Sequence, residues 1–538
     1  MSELGDGVPR SFETAPDRYR HWRLAVDGRV ARLTLAVDEA GGLMEGVALK
    51  RNSYDLSVDV ELRDVVQRLR FEHPQVGCVL VDSALADVFC AGANIGMLAR
   101  SSHPLKVNFC KLTNETRFEI EDATRAGKRW IAALSGTASG GGYELALACD
   151  RILLVDDRRA AVSLPELPLL AVLPGTGGLT RLVDKRAVRR DLADVFCTLE
   201  EGIRAPRALV EGLVDATAKP SQFAELVQRE VAAALEAAGP APEADPVRLE
   251  PLEPELSEGA LVYRHVTVTL AAESRTAELT VRVPAKPNLL VALRMARELD
   301  DAVLRLRFHH SELGLWLVRT QGDPADVRAL DAALGGAGWF AREVRALWSR
   351  VLKRVENSAR SSFALIEPGS CFVGTLLELA LAADRIYMPR GGASEPALEL
   401  SALNRGAHRM ANGQTRLETR FFGRPDALAR VLAVANGTPL EPARALELGL
   451  VTEAPDAIDW DDSVRVAIEE RASFSPDALT GLEASLRFPG PETLETKIFA
   501  RLTAWQNWIF QRPNASGPDG ALRAYGRPER AKFDWKRT

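Results

Sequence analysis

The sequence predicts an α/β protein built from two tandem units. The grounds are the β-then-α order of its apolar runs, a set of phrases repeated at nearly one offset, and a Pro- and acid-rich stretch between the copies. Val76-Gly77-Cys78-Val79-Leu80-Val81 is echoed by Leu313-Gly314-Leu315-Trp316-Leu317-Val318, Glu144 to Ile152 by Glu378 to Ile386, and Ala208 to Val214 by Ala445 to Val451. All three displacements lie between 234 and 237 positions and keep one order, as expected of a duplicated unit. Residues 236–258 hold five prolines and seven acids and read as an exposed connection. The units are therefore expected at 1–235 and 259–538.

Short β-branched and leucine-rich runs, Ala31 to Val37, Gly77 to Asp82 and Ile152 to Val155, read as buried strands. Helical patterns at Val60 to Phe71 and Gly142 to Cys149 separate them, which implies a largely parallel, layered sheet. Ile498, Phe499, Leu502, Trp505 and Ile509 recur at helical spacing, so helical C-terminal segments are expected to pack on a core or a partner.

With 538 residues and 46% hydrophobic content the chain can bury more than one core. A net charge of -6, with basic residues interspersed among acids, argues against nucleic acid as the main partner. It leaves room for a local basic pocket. The cysteines at 78, 90, 110, 149, 197 and 371 lack the paired spacing of a zinc site or a secreted disulfide framework, and His309-His310 has no ligand partners at metal spacing. No metal site is expected, and the thiols read as reduced, in a cytoplasm. Met1 to Asp17 has no signal-like apolar core, and no apolar run reaches membrane-spanning length, so a soluble chain without a membrane partner is expected.

Gly140-Gly141-Gly142-Tyr143-Glu144-Leu145-Ala146-Leu147-Ala148 sets three glycines before an apolar helix whose first turn carries one carboxylate. Without Cβ atoms the glycines admit a close carbonyl, and the amides at a helix start offer hydrogen bonds and the positive dipole end. Such donors stabilise a developing oxyanion. Glu144, in a segment whose composition implies burial, needs a partner or a task. Glu378 stands at the same place in the second half, so an inherited structural partner is the competing reading. Glu166 by itself reads equally as a solvated carboxylate.

Phe89-Cys90-Ala91-Gly92-Ala93-Asn94-Ile95, Ser139 to Leu145, Leu164-Pro165-Glu166 and Leu173-Pro174-Gly175-Thr176-Gly177-Gly178-Leu179-Thr180-Arg181-Leu182 together resemble the crotonase (enoyl-CoA hydratase/isomerase) superfamily. The resemblance implies tandem crotonase-like ββα-spiral units, the second degenerate. There Gly374-Thr375-Leu376 replaces the triple glycine, and nothing at Asp326 to Asp331 matches Phe89 to Asn94. It further implies that the Ala91 and Gly141 N–H groups form an oxyanion hole for a CoA thioester. Glu144 and Glu166 fall at hydratase-type acid–base positions, and Gly92, Ala93, Gly140 and Gly142 line the substrate. Lys50 and Arg51 fall where CoA phosphates are contacted. Cys110, in the segment that borders the acyl pocket, is a catalytic candidate if Lys111 activates its thiol, and a buried apolar residue otherwise. Asn94 stands where the superfamily often has Asp, which removes any role needing charge there.

Over the full length, with Lys353 to Ser362 and Leu502 to Asn514, the chain resembles a long two-unit branch of that superfamily. That branch implies hydrolytic ring opening of 2,3-epoxy-2,3-dihydrobenzoyl-CoA to 3,4-didehydroadipyl-CoA semialdehyde and formate in aerobic benzoate degradation. CoA would enter as part of the substrate, no further cofactor would be needed, and a homo-oligomer, first of all a dimer, is expected. The competing expectations are an enoyl-CoA hydratase and a noncatalytic CoA-thioester-binding protein.

Overall fold

A computed structural model describes residues 7–528 and 531–538, so the first six residues of the N-terminal segment lie outside the described residues. The chain forms two compact units, Met1–Pro251 and Leu252–Thr538.

Unit 1 opens with an antiparallel hairpin, β1 (Trp22–Asp27) and β2 (Val30–Leu35), followed by the helix α1 (Leu56–Phe71). The chain then alternates between two sheets. Strands β3 (Cys78–Ser83), β5 (Arg129–Leu134), β7 (Arg151–Val155) and β10 (Ala216–Ala218) extend the first sheet in the order β1-β2-β3-β5-β7-β10, parallel from β2 onward. Strands β4 (Val88–Cys90), β6 (Thr137–Ser139), β8 (Ala161–Ser163) and β9 (Ile203–Arg204) form the second. Each turn of this spiral thus supplies a strand to either sheet and then a helix: α2 (Ile95–Arg100) and α3 (His103–Arg125) after β4, and α4 (Gly141–Ala148) after β6. Cys78, Ile131 and Leu153 of the first sheet are buried against Leu226 and Ala234 of the helix Pro220–Ala238, which is why these strands read as continuous apolar runs.

The boundaries differ from the sequence expectation for local reasons. The helix expected from Val60 begins at Leu56, because the Asp55 carboxylate caps it by accepting the Ser57 N–H at 2.9 Å. The strand expected to reach Val37 stops at Leu35. The connection expected at 236–258 begins inside the helix that ends at Ala238. Further along it is held to unit 1, where the Val247 N–H donates to the Phe71 carbonyl (2.8 Å) and the Leu249 N–H to Glu72 (2.8 Å).

Unit 2 contains one seven-stranded sheet: Glu255–Leu256, Ala260–Val262, Val266–Ala271, Thr276–Arg282, Leu315–Gln321, Ser361–Leu365 and Arg385–Tyr387, antiparallel as far as Thr276–Arg282 and parallel beyond. Its interior polar contacts match those of unit 1. Tyr19 donates to Asp64 (2.5 Å), which Arg68 also binds (2.6 Å); Tyr263 donates to Asp301 (2.7 Å), which Arg305 binds (2.6 Å). Glu61 accepts the N–H groups of Arg20, His21 and Trp22, and Glu298 those of His265 and Val266. In both units a buried glutamate therefore ties the first helix to the opening hairpin. Where unit 1 has its second sheet, unit 2 has isolated bridges among the described residues, Val373–Glu399 and Leu398–Leu440.

The C-terminal segment is helical at Leu494–Thr496 and Thr503–Phe510, with a wider turn over Lys497–Leu502. Its apolar residues divide. Trp505 and Ile509 pack on Gly481 of the helix Pro476–Leu486, while Phe499 and Leu502 stay exposed.

Candidate active site

Pairing within the second sheet brings three distant loops together. Parallel pairing of β4 with β6 sets the Phe89–Asn94 loop beside Gly140–Gly142, and pairing of β6 with β8 brings Glu166, just past the strand, next to Gly140. The Gly140 N–H donates to the Ser163 carbonyl at 2.9 Å and fixes that approach. Each glycine here is required by its surroundings. Gly140 has a φ of 52°, and a Cβ on it would lie 2.7 Å from Glu166 Oε1. On Gly141 a Cβ would fall 2.0 Å from the Tyr54 hydroxyl, and on Gly142 2.5 Å from the Cys90 carbonyl.

The amides settle which N–H groups remain for a ligand. Ala91, expected as a donor, is engaged: Arg51 and Asn52 take positive φ values (55° and 53°), and this turn aims the Arg51 carbonyl at the Ala91 N–H, 3.2 Å away. The Gly92 N–H meets Cys90 Sγ. Tyr54 bridges Ala93 in parallel fashion, accepting from the Asn94 N–H (2.9 Å) and donating to the Gly92 carbonyl (3.0 Å). In such a bridge the N–H of the central residue points away from its neighbour. The Ala93 N–H is thus turned outward, with no protein acceptor among the described residues. A Cβ on Gly92 would sit only 3.0 Å from the Gly141 nitrogen, so the Ala93 and Gly141 amides lie close together. Gly141 opens α4, where no preceding turn supplies an acceptor. This pair, rather than Ala91 and Gly141, is left without a protein acceptor among the described residues.

The two glutamates sit in different environments. Glu144 is 2% exposed, and its Oε1 accepts the N–H groups of Thr176 (3.0 Å) and Gly178 (2.7 Å), while the Thr176 hydroxyl donates to Oε2. Arg181 steadies that loop through the Thr176 carbonyl and is itself paired with Glu121 (2.8 Å). Glu166, at the first position of the short helix Glu166–Leu170, has a buried Oε2 without a hydrogen-bond partner among the described residues. Burial, and then the nearby Glu144 charge, push its pKa up to about 7. Carboxyls in such unlike environments suit different tasks in one acid–base reaction.

The enoyl-CoA hydratase/isomerase family profile matches residues 49–244, the stretch that contains this site. A benzoyl-CoA-dihydrodiol lyase of Aromatoleum evansii is 53% identical over 542 residues, covering 98% of each chain. The chain belongs to the benzoyl-CoA-dihydrodiol lyase family. Solved structures are similar over unit-sized portions. An enoyl-CoA hydratase of Geobacillus kaustophilus HTA426 is 29% identical, with 40% of this chain and 75% of that one covered (TM-score 0.36). One from Bacillus anthracis is 24% identical, covering 40% and 76% (TM-score 0.34).

In this member of the lyase family the remaining candidates behave unequally. Cys110 lies by the glutamate-binding loop, its Sγ 3.2 Å from where a Gly175 Cβ would be, and Asn114 bridges the Cys110 and Gly175 carbonyls. Burial and then Glu144 push the pKa of the Cys110 thiol up to about 11, which favours the protonated form. Lys50 and Arg51 are exposed; Arg51 reaches Asp87 at 3.4 Å in a solvated pair that leaves its charge accessible. Asn94 caps α2 through the Met97 N–H (2.9 Å) and donates to the Ala48 carbonyl and Ser53, a role for which its neutral amide suffices. Among the described residues no cluster of His, Cys, Asp and Glu could hold a metal, and no helix is long and apolar enough to cross a membrane.

Sequence reasoning missed Ala93 as a donor, the Thr176–Gly178 clamp on Glu144, and a buried set of Tyr54, Asp59 and Arg117. The last had a legible signal. Arg117 falls in register with the apolar face Leu112, Thr113, Thr116 and Ile120 of α3, where a cation is out of place.

Proposed function

We propose that this chain opens the ring of 2,3-epoxy-2,3-dihydrobenzoyl-CoA and cleaves a carbon–carbon bond, giving 3,4-didehydroadipyl-CoA semialdehyde and formate with consumption of two waters. The supporting observation is a pair of unlike carboxyls that feel each other's charge, Glu166 against Gly140 and Glu144 in the Thr176–Gly178 clamp, beside two outward amides, in a chain that matches a named lyase end to end. Glu166, half protonated near neutral pH, donates its proton to the epoxide oxygen as the C–O bond breaks. Glu144, held as an acceptor by Thr176 and Gly178, takes the proton of the attacking water. The Ala93 and Gly141 N–H groups hold the thioester oxygen as enolate character develops on it. A retro-aldol-like cleavage with the second water then releases formate. Gly92, Gly140 and Gly142 provide the clearance, Cys110 serves as a neutral wall of the acyl pocket, and Lys50 and Arg51 face the CoA phosphates.

The same reading makes unit 2 a duplicated unit that has lost the chemistry. CoA enters only within the substrate, no further cofactor takes part, and the enzyme works in the cytoplasm as a homodimer. A formate assay on purified protein supplied with enzymatically generated 2,3-epoxybenzoyl-CoA tests the assignment. Formate in step with substrate loss is expected. Water addition to crotonyl-CoA without formate makes the chain a hydratase instead, and tight thioester binding with neither product makes it a binding protein.

A further inference from the structure

Arg117 lies behind the oxyanion hole and carries no role in the chemistry above. It is 2% exposed, and its Nη2 donates both to the Gly141 carbonyl (2.8 Å) and to the Tyr54 hydroxyl (3.1 Å). Tyr54 in turn stacks on Phe109, presses its hydroxyl on Gly141, and through its backbone turns the Ala93 amide outward. Asp59, 4% exposed and bound by the Thr113 hydroxyl at 2.5 Å, supplies compensating charge, as does Glu144. A cation at a helix N-terminus opposes the helix dipole, and burying it without a full ion pair adds to the cost. The Nε and Nη1 of Arg117 have no protein acceptor among the described residues. A purely architectural contact would not call for such a group.

Unit 2 supplies the control. It repeats the Tyr–Asp–Arg contact and the glutamate–hairpin tie, and Glu356–Arg416 stands where unit 1 has Glu121–Arg181. Counting from those matched contacts, Asp59 and Arg117 fall at Ala296 and Leu352, neither of them polar. The fold is therefore built without this charged set, which occurs only beside the outward amides.

We propose that Arg117, compensated by Asp59 and coupled to Tyr54, is a positioning residue that holds the Gly141 peptide and places a buried positive charge behind the thioester oxygen. The idea rests on the thioester-site reading above. The test uses the full chain with bound benzoyl-CoA and records the infrared band of its thioester carbonyl beside turnover. Wild type is expected to move the band to lower frequency than in water. Arg117→Lys should keep most of that displacement. Asp59→Ala with Arg117→Leu, which installs the pair that unit 2 packs at the same place, should lose it. In the double variant kcat should fall by roughly 10- to 100-fold, less than for loss of a direct donor, with KM changed by less than about threefold. Unchanged band displacement and kcat in a folded double variant overturn the proposal. No band displacement in wild type overturns the thioester site itself, and the role of Arg117 with it.

Discussion

The helices that begin at Gly141 and at Gly374 open with the same backbone device and end with opposite chemistry. Gly140 and Gly374 both take positive φ (52° and 48°), and four residues on stand Glu144 and Glu378, each 2% exposed. In unit 1 the Gly141 N–H meets no protein acceptor among the described residues. In unit 2 the corresponding Thr375 N–H donates to both oxygens of Asp331 (3.2 Å), whose Oδ2 also accepts from Ser401 (2.5 Å). Glu378 is bound by Asn404 (2.7 Å) and by the fully buried Arg416 (2.7 Å), whereas Glu144 meets only uncharged donors. One unit therefore leaves the amide at its helix start without a protein acceptor among the described residues, and the other fills the same place with its own carboxylate. The lesson concerns Glu144: a glutamate at this position is not by itself a catalytic mark, since its counterpart Glu378 is hydrogen-bonded to a buried cation.

The glutamates give the largest expected contrast. Glu144→Gln and Glu166→Gln should each lower formate production by about 10³-fold or more, as expected for a lost acid or base. Glu378→Gln should leave turnover intact while lowering the melting temperature, because it removes one of the two carboxylates paired with buried Arg416. Equal losses of activity in the two units would break the comparison.

Next come the amides. Gly92→Ala places a Cβ 2.8 Å from the Ser139 carbonyl, at a φ of 89°, and should cost on the order of 10²-fold in kcat by shifting the Ala93 and Gly141 donors. Asp331→Asn should spare kcat and cost roughly 1–3 kcal/mol of stability, the scale of a buried hydrogen-bond partner lost.

A smaller effect follows from Glu166. Its carboxyl ionises near 7 in the folded protein but nearer its ordinary value once unfolded. Between those values the folded state binds more protons, so wild type loses stability as pH rises through that window. Glu166→Gln should remove the loss. Its gain over wild type should be absent near pH 4 and complete by about pH 8, reaching up to roughly 3 kcal/mol, as read from urea midpoints. A gain independent of pH contradicts the raised value. The smallest effect belongs to Cys110→Ala, which should keep turnover within about threefold because the thiol stays protonated.

Much of this site was legible in the sequence. The repeats pointed to two units, and the triple glycine and the Phe89–Ile95 phrase fall in loops that the structure sets side by side. The choice between Ala91 and Ala93 was not legible, because it turns on the left-handed backbone at Arg51 and Asn52, which aims a carbonyl at one amide. Nor was the seal in unit 2. Asp331 reaches Thr375 only through tertiary packing of the helix Pro324–Leu334, and nothing in the local phrase around it signals that contact. Cys110 beside Lys111 in sequence suggested activation, yet neighbours along a helix do not face one another, and the groups acting on the thiol come from elsewhere.

The central claim is that one of the two units binds the thioester and the other is closed by its own carboxylate. Calorimetric titration of the full chain with benzoyl-CoA tests it most directly, with Gly92→Ala and Asp331→Asn measured alongside. A single ligand per chain, weakened by Gly92→Ala and unaffected by Asp331→Asn, is the predicted result. Two ligands per chain, or a single one weakened by Asp331→Asn alone, would contradict it.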